Sequence, residues 1–468
     1  MSRRLSELAS VVGIEPDPRW PDIEIRDVRH DSREMVPGSL FAAIRGDCHD
    51  GHDHAVAAVD AGAAALLVQR RLGVGVPELK VASVRESLGA VASAVHGDPS
   101  RSLRLVGVTG TDGKTTTVRI LCGLLAALGA SVLEIGTLTG ERTTPEAPEL
   151  QRVLAAAVGR GVDTAAMEVS SHGLAQHRVD GCRFAVAAFT NLGNDHLDYH
   201  GTVEHYFAAK ARLFSPELSD LAVVNVDCEF GSRLAAESRI PVVPVGRHLV
   251  DAVRFDSRAS TFRWRGRTVE TQLVGGFNVV NAVMAAEMAV ALGHPPNAVA
   301  EALATVPGVP GRFEAIDQGQ QFSVIVDYAH THEALASALE AARAVTERSL
   351  IVVFGAGGNR DRAKRPLMGE VARDLADRVV VTSDNPRDEH PQDIISAIVS
   401  GMAAPPDLVE VDRRRAIGAA FDMAAPGDLV LLAGKGHEAT QAIGSEVFSF
   451  DDRVVARQEL RLRAGVRS

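Results

Sequence analysis

Leu103-Arg-Leu-Val-Gly-Val-Thr-Gly-Thr-Asp-Gly-Lys-Thr-Thr-Thr117 reads as a buried strand, a glycine-rich turn and the start of a helix. Leu103, Leu105, Val106 and Val108 make the strand. Gly110 and Gly113 let the backbone curl so that successive N–H groups face an anion. Lys114, on what reads as an exposed turn, supplies a point charge for the β- and γ-phosphates, and Thr115 a hydroxyl for Mg²⁺. The helix that follows carries Val118, Ile120, Leu121, Leu124, Leu125 and Leu128. It aims its positive end at the same phosphates. Val108 stands where the strict pattern has Gly. An ordinary strand–turn–helix connection is the alternative, but Gly113-Lys114-Thr115 in this context favours ATP.

The surrounding chain has 468 residues, which suggests two to four domains. Its 46% apolar and 23% charged residues describe a globular protein. A net charge of -11, with acids and bases interleaved, disfavours a nucleic-acid surface but leaves room for a local basic pocket. Cys48, Cys122, Cys182 and Cys228 lie far apart without paired spacing, as free thiols in a reducing cytoplasm would. No apolar run follows Arg3 and Arg4 as a signal peptide requires, and no uncharged stretch reaches membrane-spanning length.

Residues 1–99 read as a small α/β unit ahead of the phosphate-binding strand. Asp47 to His54 holds one cysteine and three histidines. Neat ligand spacing is missing, so a polar substrate-facing loop is the first reading and a metal the second. Residues 100–311 form a central α/β unit. Thr164-Ala-Ala-Met-Glu168 is a strand ending in a carboxylate, where Mg²⁺ is held beside a phosphate-binding loop. Ala185 to Thr190 is another strand and leads into Asn191 to His200. Its histidines and acids at strand ends predict a second metal or a water-ordering group. Lys210 sits on a helical pattern where the default is a surface charge. Residues 246–270 read as β-rich and exposed. Pro307-Gly-Val-Pro-Gly311 is a hinge. Residues 312–468 then read as a Rossmann-like α/β unit. Its strand ends carry Arg360, Asp384 to Arg387 and Glu438. Arg360 replaces the third glycine of a dinucleotide fingerprint, which disfavours a nicotinamide site.

Taken together, these motifs resemble the Mur ligases of peptidoglycan synthesis over nearly the whole chain. The shared signatures are Gly110-Thr-Asp-Gly-Lys-Thr-Thr116, Glu168-Val-Ser-Ser-His-Gly173, Thr190-Asn191 with Asp195-His-Leu-Asp198, Asp327-Tyr-Ala-His330, and Gly434-Lys-Gly-His-Glu438. Thr143-Thr-Pro145, Gly357-Gly-Asn-Arg-Asp361 and Asp384-Asn-Pro-Arg387 point to the branch that adds meso-diaminopimelate. Asp112 stands where Asn is common and His332 where Pro is usual.

The resemblance implies three α/β domains, with a central P-loop domain on a parallel sheet. It implies ATP contacts from Gly110, Thr111, Asp112, Gly113, Lys114, Thr115, Thr116, Asn278, Arg312 and Asp327. The uridine end would meet His30, Ser32, Asp47, Cys48 and His49. The sugar-peptide would meet Arg142, Thr143, Thr144, Ser170, Gln176 and Arg178. The incoming amino acid would meet Arg360, Asp384, Asn385, Pro386, Arg387, Gly434 and Glu438. Mg²⁺ would be held near Thr115, Glu168, His196 and a carbamylated Lys210, the chemistry falling to Lys114, Glu168, His196 and Lys210. A cytoplasmic monomer would join meso-diaminopimelate to the D-glutamate of UDP-N-acetylmuramoyl-L-alanyl-D-glutamate through an acyl phosphate. The rival readings are a paralogue adding lysine or another amino acid, and, from a different class, a P-loop ATPase switch that needs no amine.

Overall fold

The computed structural model describes residues 2–466 except Pro16, Asp47, Cys48 and Ser257. Two short strands, β1 (Arg3–Arg4) and β2 (Glu24–Ile25), pair antiparallel at the start. A parallel sheet follows, built from β3 (Asp27–Arg29), β4 (Ser39–Ala42), β5 (Ala63–Val68) and β6 (Glu78–Lys80) in that spatial order. Helix Val84–Val95 covers it, burying Leu88, Val91, Ala92 and Val95. Ser83 caps that helix by accepting from Glu86 N at 3.3 Å.

The central sheet contains β7 (Arg104–Thr109), β8 (Val132–Ile135), β9 (Thr164–Glu168), β10 (Phe184–Phe189), β11 (Ala222–Asn225) and β12 (Val242–Val245). All are parallel, in the order β12-β11-β10-β7-β9-β8. Both faces are covered, which is why these strands are apolar at successive residues. Val106, Val108, Val186 and Val223 face helices Lys114–Ala127 and Gly276–Ala291. Leu105, Met167, Phe189 and Val224 face the other way, against Leu150, Leu154 and Phe207.

Three antiparallel strands, β13 (Val250–Phe255), β14 (Ser260–Trp264) and β15 (Arg267–Thr271), stand beside this sheet. This stretch, expected to be exposed, is so on one face only. Phe262, Trp264 and Val269 are buried against the Gly276–Ala291 helix, as the period of two along a strand allows. Trp264 Nε1 donates to buried Glu287 at 2.9 Å.

The last sheet runs β16-β17-β21-β18-β19-β20. Its strands are β16 (Glu314–Ala315), β17 (Ser323–Asp327), β18 (Leu350–Phe354), β19 (Arg378–Val381), β20 (Leu408–Val409) and β21 (Leu429–Ala433). Only β16 is antiparallel. Alternate residues go to opposite cores: Val352, Phe354 and Leu431 to one, Val353, Val380 and Leu432 to the other. A hairpin, β22 (Thr440–Ile443) with β23 (Glu446–Ser449), follows the last parallel strand. The C-terminal ends of β7 and β9 and of β18, β19 and β21 open on one shared space, where open α/β sheets bind ligands.

Candidate active site

The turn after β7 is held in a strained, glycine-dependent shape. Gly110 has φ 150° and Gly113 φ 82°. A Cβ at Gly110 would lie 1.8 Å from Thr190 Oγ1, and one at Gly113 2.7 Å from Asn281 Oδ1. The turn is also tied down from β10's end: Asp112 N donates to Asn191 Oδ1 at 2.9 Å and Thr111 N to Asn191 O at 3.0 Å. Lys114 is half-buried, not exposed as its place on a turn suggested. Its Nζ folds back on Gly110 O at 2.9 Å and Thr111 O at 2.7 Å. Burial pushes its pKa down, against the pull of Glu168, Asp112 and Asp195.

Thr115 Oγ1 donates to Glu168 Oε2 at 2.7 Å, both side chains buried. Thr137 N donates to the other carboxylate oxygen at 2.7 Å. Arg312, from beyond the hinge, reaches back to Thr115 Oγ1 at 3.3 Å and lies over the Tyr328 ring at 4.2 Å. Asp327 is buried and accepts from Phe313 N at 2.7 Å and Ala329 N at 2.8 Å, and burial raises its pKa.

Lys210 is not a surface charge. It is 1% exposed, with Nζ on Gly110 O at 2.7 Å and 4.4 Å from the Tyr206 ring centroid. Burial, then the charge of Lys114, drives its pKa well below the usual lysine value. His196 adopts φ 55° beside Asp195, and burial pushes its pKa down to about 4. The His172 ring lies 4.7 Å from His196 between centroids, and Tyr199 (4.2 Å) and His200 (5.5 Å) pack around His172 in turn. Among the described residues no group of three or more His, Cys, Asp or Glu is arranged as a metal cage. Thr115 and Glu168 offer a hydroxyl and a carboxylate oxygen side by side, a donor set suited to Mg²⁺ with phosphate oxygens completing it.

One cavity of about 570 Å³ joins the phosphate-binding turn to the third sheet. Lys114, Thr115, Glu168, Asp195 and His196 line one side, and Arg360, Asp384, Asn385, Arg387 and Glu438 the other. Arg387 has φ 52° and is fixed by backbone bonds from its N to Ala442 O (3.0 Å) and from Gly444 N to its O (2.7 Å). Its guanidinium donates to Gly358 O at 2.6 Å. Among the described residues it makes no ion pair with Asp384 or Asp388, the default for an isolated arginine. Pro386, just before it, is buried, and Gly434 (φ 113°) lies against Asp384. Asn385 Nδ2 donates to Glu438 Oε2 at 2.7 Å. A second cavity of about 440 Å³ opens from the turn between Phe277, Asn281, Asp327, Tyr328 and Ala338.

Some expected residues fall elsewhere. Asn278 lines neither cavity. It is buried with Nδ2 on Val274 O at 2.9 Å, while Asn281, one helical turn on, faces the turn. Thr144 is buried, its hydroxyl donating to Glu168 O at 3.0 Å and accepting from Ser170 N at 2.9 Å, so that side chain braces the loop instead of reaching a ligand. Thr143 does line the larger cavity. Arg142 and Arg178 converge on buried Glu146 at 3.1 and 3.0 Å, and Arg178 also holds Gln176 at 2.7 Å. His30 feels the charges of Glu146 and Arg142, and burial lowers its pKa. Ser32 opens the short turn Ser32–Glu34 and His49 is exposed. Asp47 and Cys48 lie outside the described residues. His52 nearby is buried and spoken for, between Asp50 (2.6 Å) and Gln69 N (3.0 Å), which leaves no ring nitrogen for a metal.

The cavity also holds groups that the motifs did not single out. Lys364 lines it and is partly desolvated facing Asp195, Asp361 and Asp384. Nothing in the sequence separates it from a surface lysine at a helix start. Lys435 lies inside the Gly434–Glu438 motif and is fully buried beneath Glu438. Tyr328 and His330 face both cavities from the Asp327–His330 motif.

Comparison with known proteins gives a consistent answer. Residues 24–96 match the Mur ligase family, catalytic domain; residues 108–289 the Mur ligase middle domain; and residues 311–436 the Mur ligase, glutamate ligase domain. A UDP-N-acetylmuramoyl-L-alanyl-D-glutamate--2,6-diaminopimelate ligase of Streptomyces avermitilis is 42% identical, over 98% of this chain and 97% of its own length. That of Geobacillus kaustophilus is 43% identical over 95% and 96%. A solved structure of an enzyme of that name superposes with a TM-score of 0.71 at 32% identity, covering 99% of this chain and 100% of the other. The MurF ligase of Thermotoga maritima in complex with ADP shares the fold, with a TM-score of 0.67 at 20% identity over 95% and 99%.

Proposed function

The chain belongs to the Mur ligase family, and from that premise we propose how its residues carry the chemistry: it is an ATP-dependent ligase of peptidoglycan synthesis that adds meso-diaminopimelate to UDP-N-acetylmuramoyl-L-alanyl-D-glutamate. The single observation that carries the residue assignment is the 570 Å³ cavity. Its lining supports reading one side, with Lys114, Thr115 and Glu168, as the phosphate site and the other, with Arg360, Arg387, Asp384 and Glu438, as the amino-acid pocket.

The D-glutamyl carboxylate attacks the γ-phosphorus of ATP, and ADP leaves as an acyl phosphate forms. The amine of meso-diaminopimelate then attacks the acyl carbon, phosphate leaves and the amide remains. The protein's part is positioning and charge neutralisation. Lys114 releases the Gly110 and Thr111 carbonyls and turns to the phosphates, which the first N–H groups of the helix starting at Lys114 would meet, those of Thr111 and Asp112 being held by Asn191. Arg312, carried from the hinge, adds a guanidinium to the same charge. Tyr328 and Phe277 flank the smaller cavity, which suits the nucleoside. Thr115, Glu168 and His196 would hold Mg²⁺, which supplies charge neutralisation at the phosphates. Lys210, whose pKa burial and then Lys114 drive well below the usual lysine value, gives up its proton more readily than a surface lysine and so is suited to add CO₂, and the resulting carbamate anion would complete that set. Arg142, Thr143, Gln176, Arg178, His30 and Ser32 lie toward the nucleotide-sugar dipeptide. Unit boundaries near residues 99 and 311 let the third unit close over the acyl phosphate and keep water out. The reading extends to a cytoplasmic monomer, since one chain supplies every group and separated thiols suit a reducing compartment. No described helix is long and apolar enough to cross a membrane.

The test is ATP turnover with the nucleotide-sugar dipeptide and a panel of amino acids. Turnover should require both acceptor and amine, and hydroxylamine in place of the amine should trap a hydroxamate. ATP hydrolysis independent of any amino acid would instead support a switch.

A further inference from the structure

The Lys435 side chain is wholly buried against the amino-acid pocket. Its Nζ donates to Thr440 O at 2.7 Å, to Asn385 Oδ1 at 3.3 Å and to Glu438 Oε2 at 3.3 Å. Those three bonds use up the donors of an ammonium. Asp384 Oδ1 lies 3.7 Å away and is buried without a hydrogen-bond partner of its own. A buried, paired lysine is most simply a structural tie. Here, though, three of its four neighbours are the side chains assigned to the incoming amino acid.

We propose that Lys435 is a positioning residue that sets the shape and the charge of the amino-acid pocket, so that it accepts the zwitterionic far end of a diamino diacid over the cationic end of lysine. The inference rests on the assignment of that pocket under the proposed function. Two steps carry it. First, Lys435 and Ala442 N (3.0 Å) both address Asn385 Oδ1, which turns Nδ2 toward Glu438. The amide's orientation, and through it the carboxylate's, follows from the ammonium. Second, Asp384 and Glu438 are two anions in a partly closed space. Lys435 offsets one of them, so with Arg360, Arg387 and Lys364, and with Asp361 added to the acids, the pocket holds four positive and three negative groups. That excess favours a ligand end bearing a carboxylate. Without Lys435 the count is even, the two carboxylates repel, and a purely cationic end is less disfavoured.

The experiment uses the full chain with Lys435→Met and with Lys435→Gln, which keeps a donor but removes the charge. KM and kcat are measured for meso-diaminopimelate, lysine and ATP, with thermal unfolding to confirm the fold. The KM for meso-diaminopimelate should rise about tenfold, in line with the loss of a charged hydrogen-bond network. The KM for ATP should stay within about twofold, and the preference over lysine should shrink in both variants. An unchanged preference in the folded variants would overturn the inference. So would an ATP KM rising in step, or failure of both to fold, since each makes Lys435 a general structural tie. Arg387→Ala, run alongside, separates the two levels. If it leaves selectivity intact, the pocket assignment itself fails. If it erodes selectivity while the Lys435 variants do not, only the role of Lys435 fails.

Discussion

Lys114 and Lys210, ninety-six positions apart, end on the same carbonyl oxygen: Gly110 O accepts from one Nζ at 2.9 Å and from the other at 2.7 Å. Two ammonium groups so placed repel, and the more deeply buried one yields. Burial and Lys114 together lower the Lys210 pKa, so its amine is neutral at a pH where an exposed lysine is charged. A neutral amine is the form that adds CO₂. Protein equilibrated with ¹³C-bicarbonate should show a carbamate carbon resonance that Lys210→Ala lacks. That variant should lose most turnover, and a short carboxylic acid in the buffer should restore part of it. Full activity of Lys210→Ala would end the assignment.

Lys114→Ala should fold as the parent does, because its Nζ bonds only to two carbonyls of its own turn. Turnover should fall about 10²- to 10³-fold, the usual loss when one charge-stabilising donor is removed from a transition state. Near-normal turnover in a folded variant would place the phosphates elsewhere.

Arg413 and Asp452 form an ion pair with neither side chain exposed, at 2.6 Å. Arg413 also donates to Ser383 O (3.3 Å) and Ala433 O (2.8 Å), and so braces the loops after β19 and β21 from behind. Arg413→Met strands a buried carboxylate and should cost about 3–5 kcal/mol in urea unfolding. Arg413→Met with Asp452→Leu should recover much of that loss. If the double variant were as unstable as the single, the cost would lie in the carbonyl contacts and not in the stranded charge.

The inner strands β7, β9, β10, β17, β18, β19 and β21 were legible because burial on two faces writes them as short apolar runs, whereas the edge strands β12, β16 and β20, and β11 beside β12, were not singled out. The phosphate-binding turn was legible because few backbones other than Gly110-to-Gly113 admit its shape. Side-chain direction was harder to read. Asn278 and Asn281 look equivalent in sequence, and only the packing of their helix against the helix Lys114–Ala127 decides which faces the turn. Lys210 read as a surface charge, and Lys364 and Lys435 were not singled out, because what surrounds each of them includes elements far away in the chain. Thr144 carries the hydroxyl of a substrate loop, yet the carbonyl of Glu168, 24 residues on, takes it up.

Partly desolvated histidines predict acid sensitivity above the carboxylate range. Burial pushes His200 down to about 4, with His172 and Lys210 adding to the shift and Asp198 opposing it. His196 and His437 are likewise held at about 4 by burial. An unfolded histidine titrates near about 6.5. Between those values the unfolded chain binds protons that the folded chain does not, so stability rises with pH and is lost as pH falls from about 6.5 toward 4. The urea midpoint should drop between pH 7 and pH 5. His200→Gln, able to keep the contact to Ser171 Oγ (3.0 Å), should make that slope shallower by up to one proton. A slope unaffected by the substitution would assign the acid sensitivity to other groups.

The choice of amino acid should turn on Arg387. Meso-diaminopimelate differs from lysine by a carboxylate at its far end, so a pocket preferring it needs a cation aimed at that group. Arg387 is held in a left-handed backbone state by the hairpin after β21, with buried Pro386 before it. Such a conformation costs about 1–3 kcal/mol and persists only where surrounding contacts enforce it. Its guanidinium donates to Gly358 O at 2.6 Å and otherwise faces the cavity with Arg360 on the neighbouring turn. Planar guanidinium groups match a carboxylate with two parallel bonds. A hydrogen bond to a charged group contributes about 1.5–3 kcal/mol, so Arg387→Ala should lose about ten- to a hundredfold in kcat/KM for meso-diaminopimelate. Lysine, which never used that bond, should be affected far less, and the preference should shrink through loss of the better substrate. Lysine entering the parent pocket leaves the arginines unpaired, which deepens its rejection. The check is kcat/KM for both amino acids in parent and variant. Equal use of lysine by the parent, or an unchanged ratio in the variant, would reject Arg387 as the residue that reads the far carboxylate.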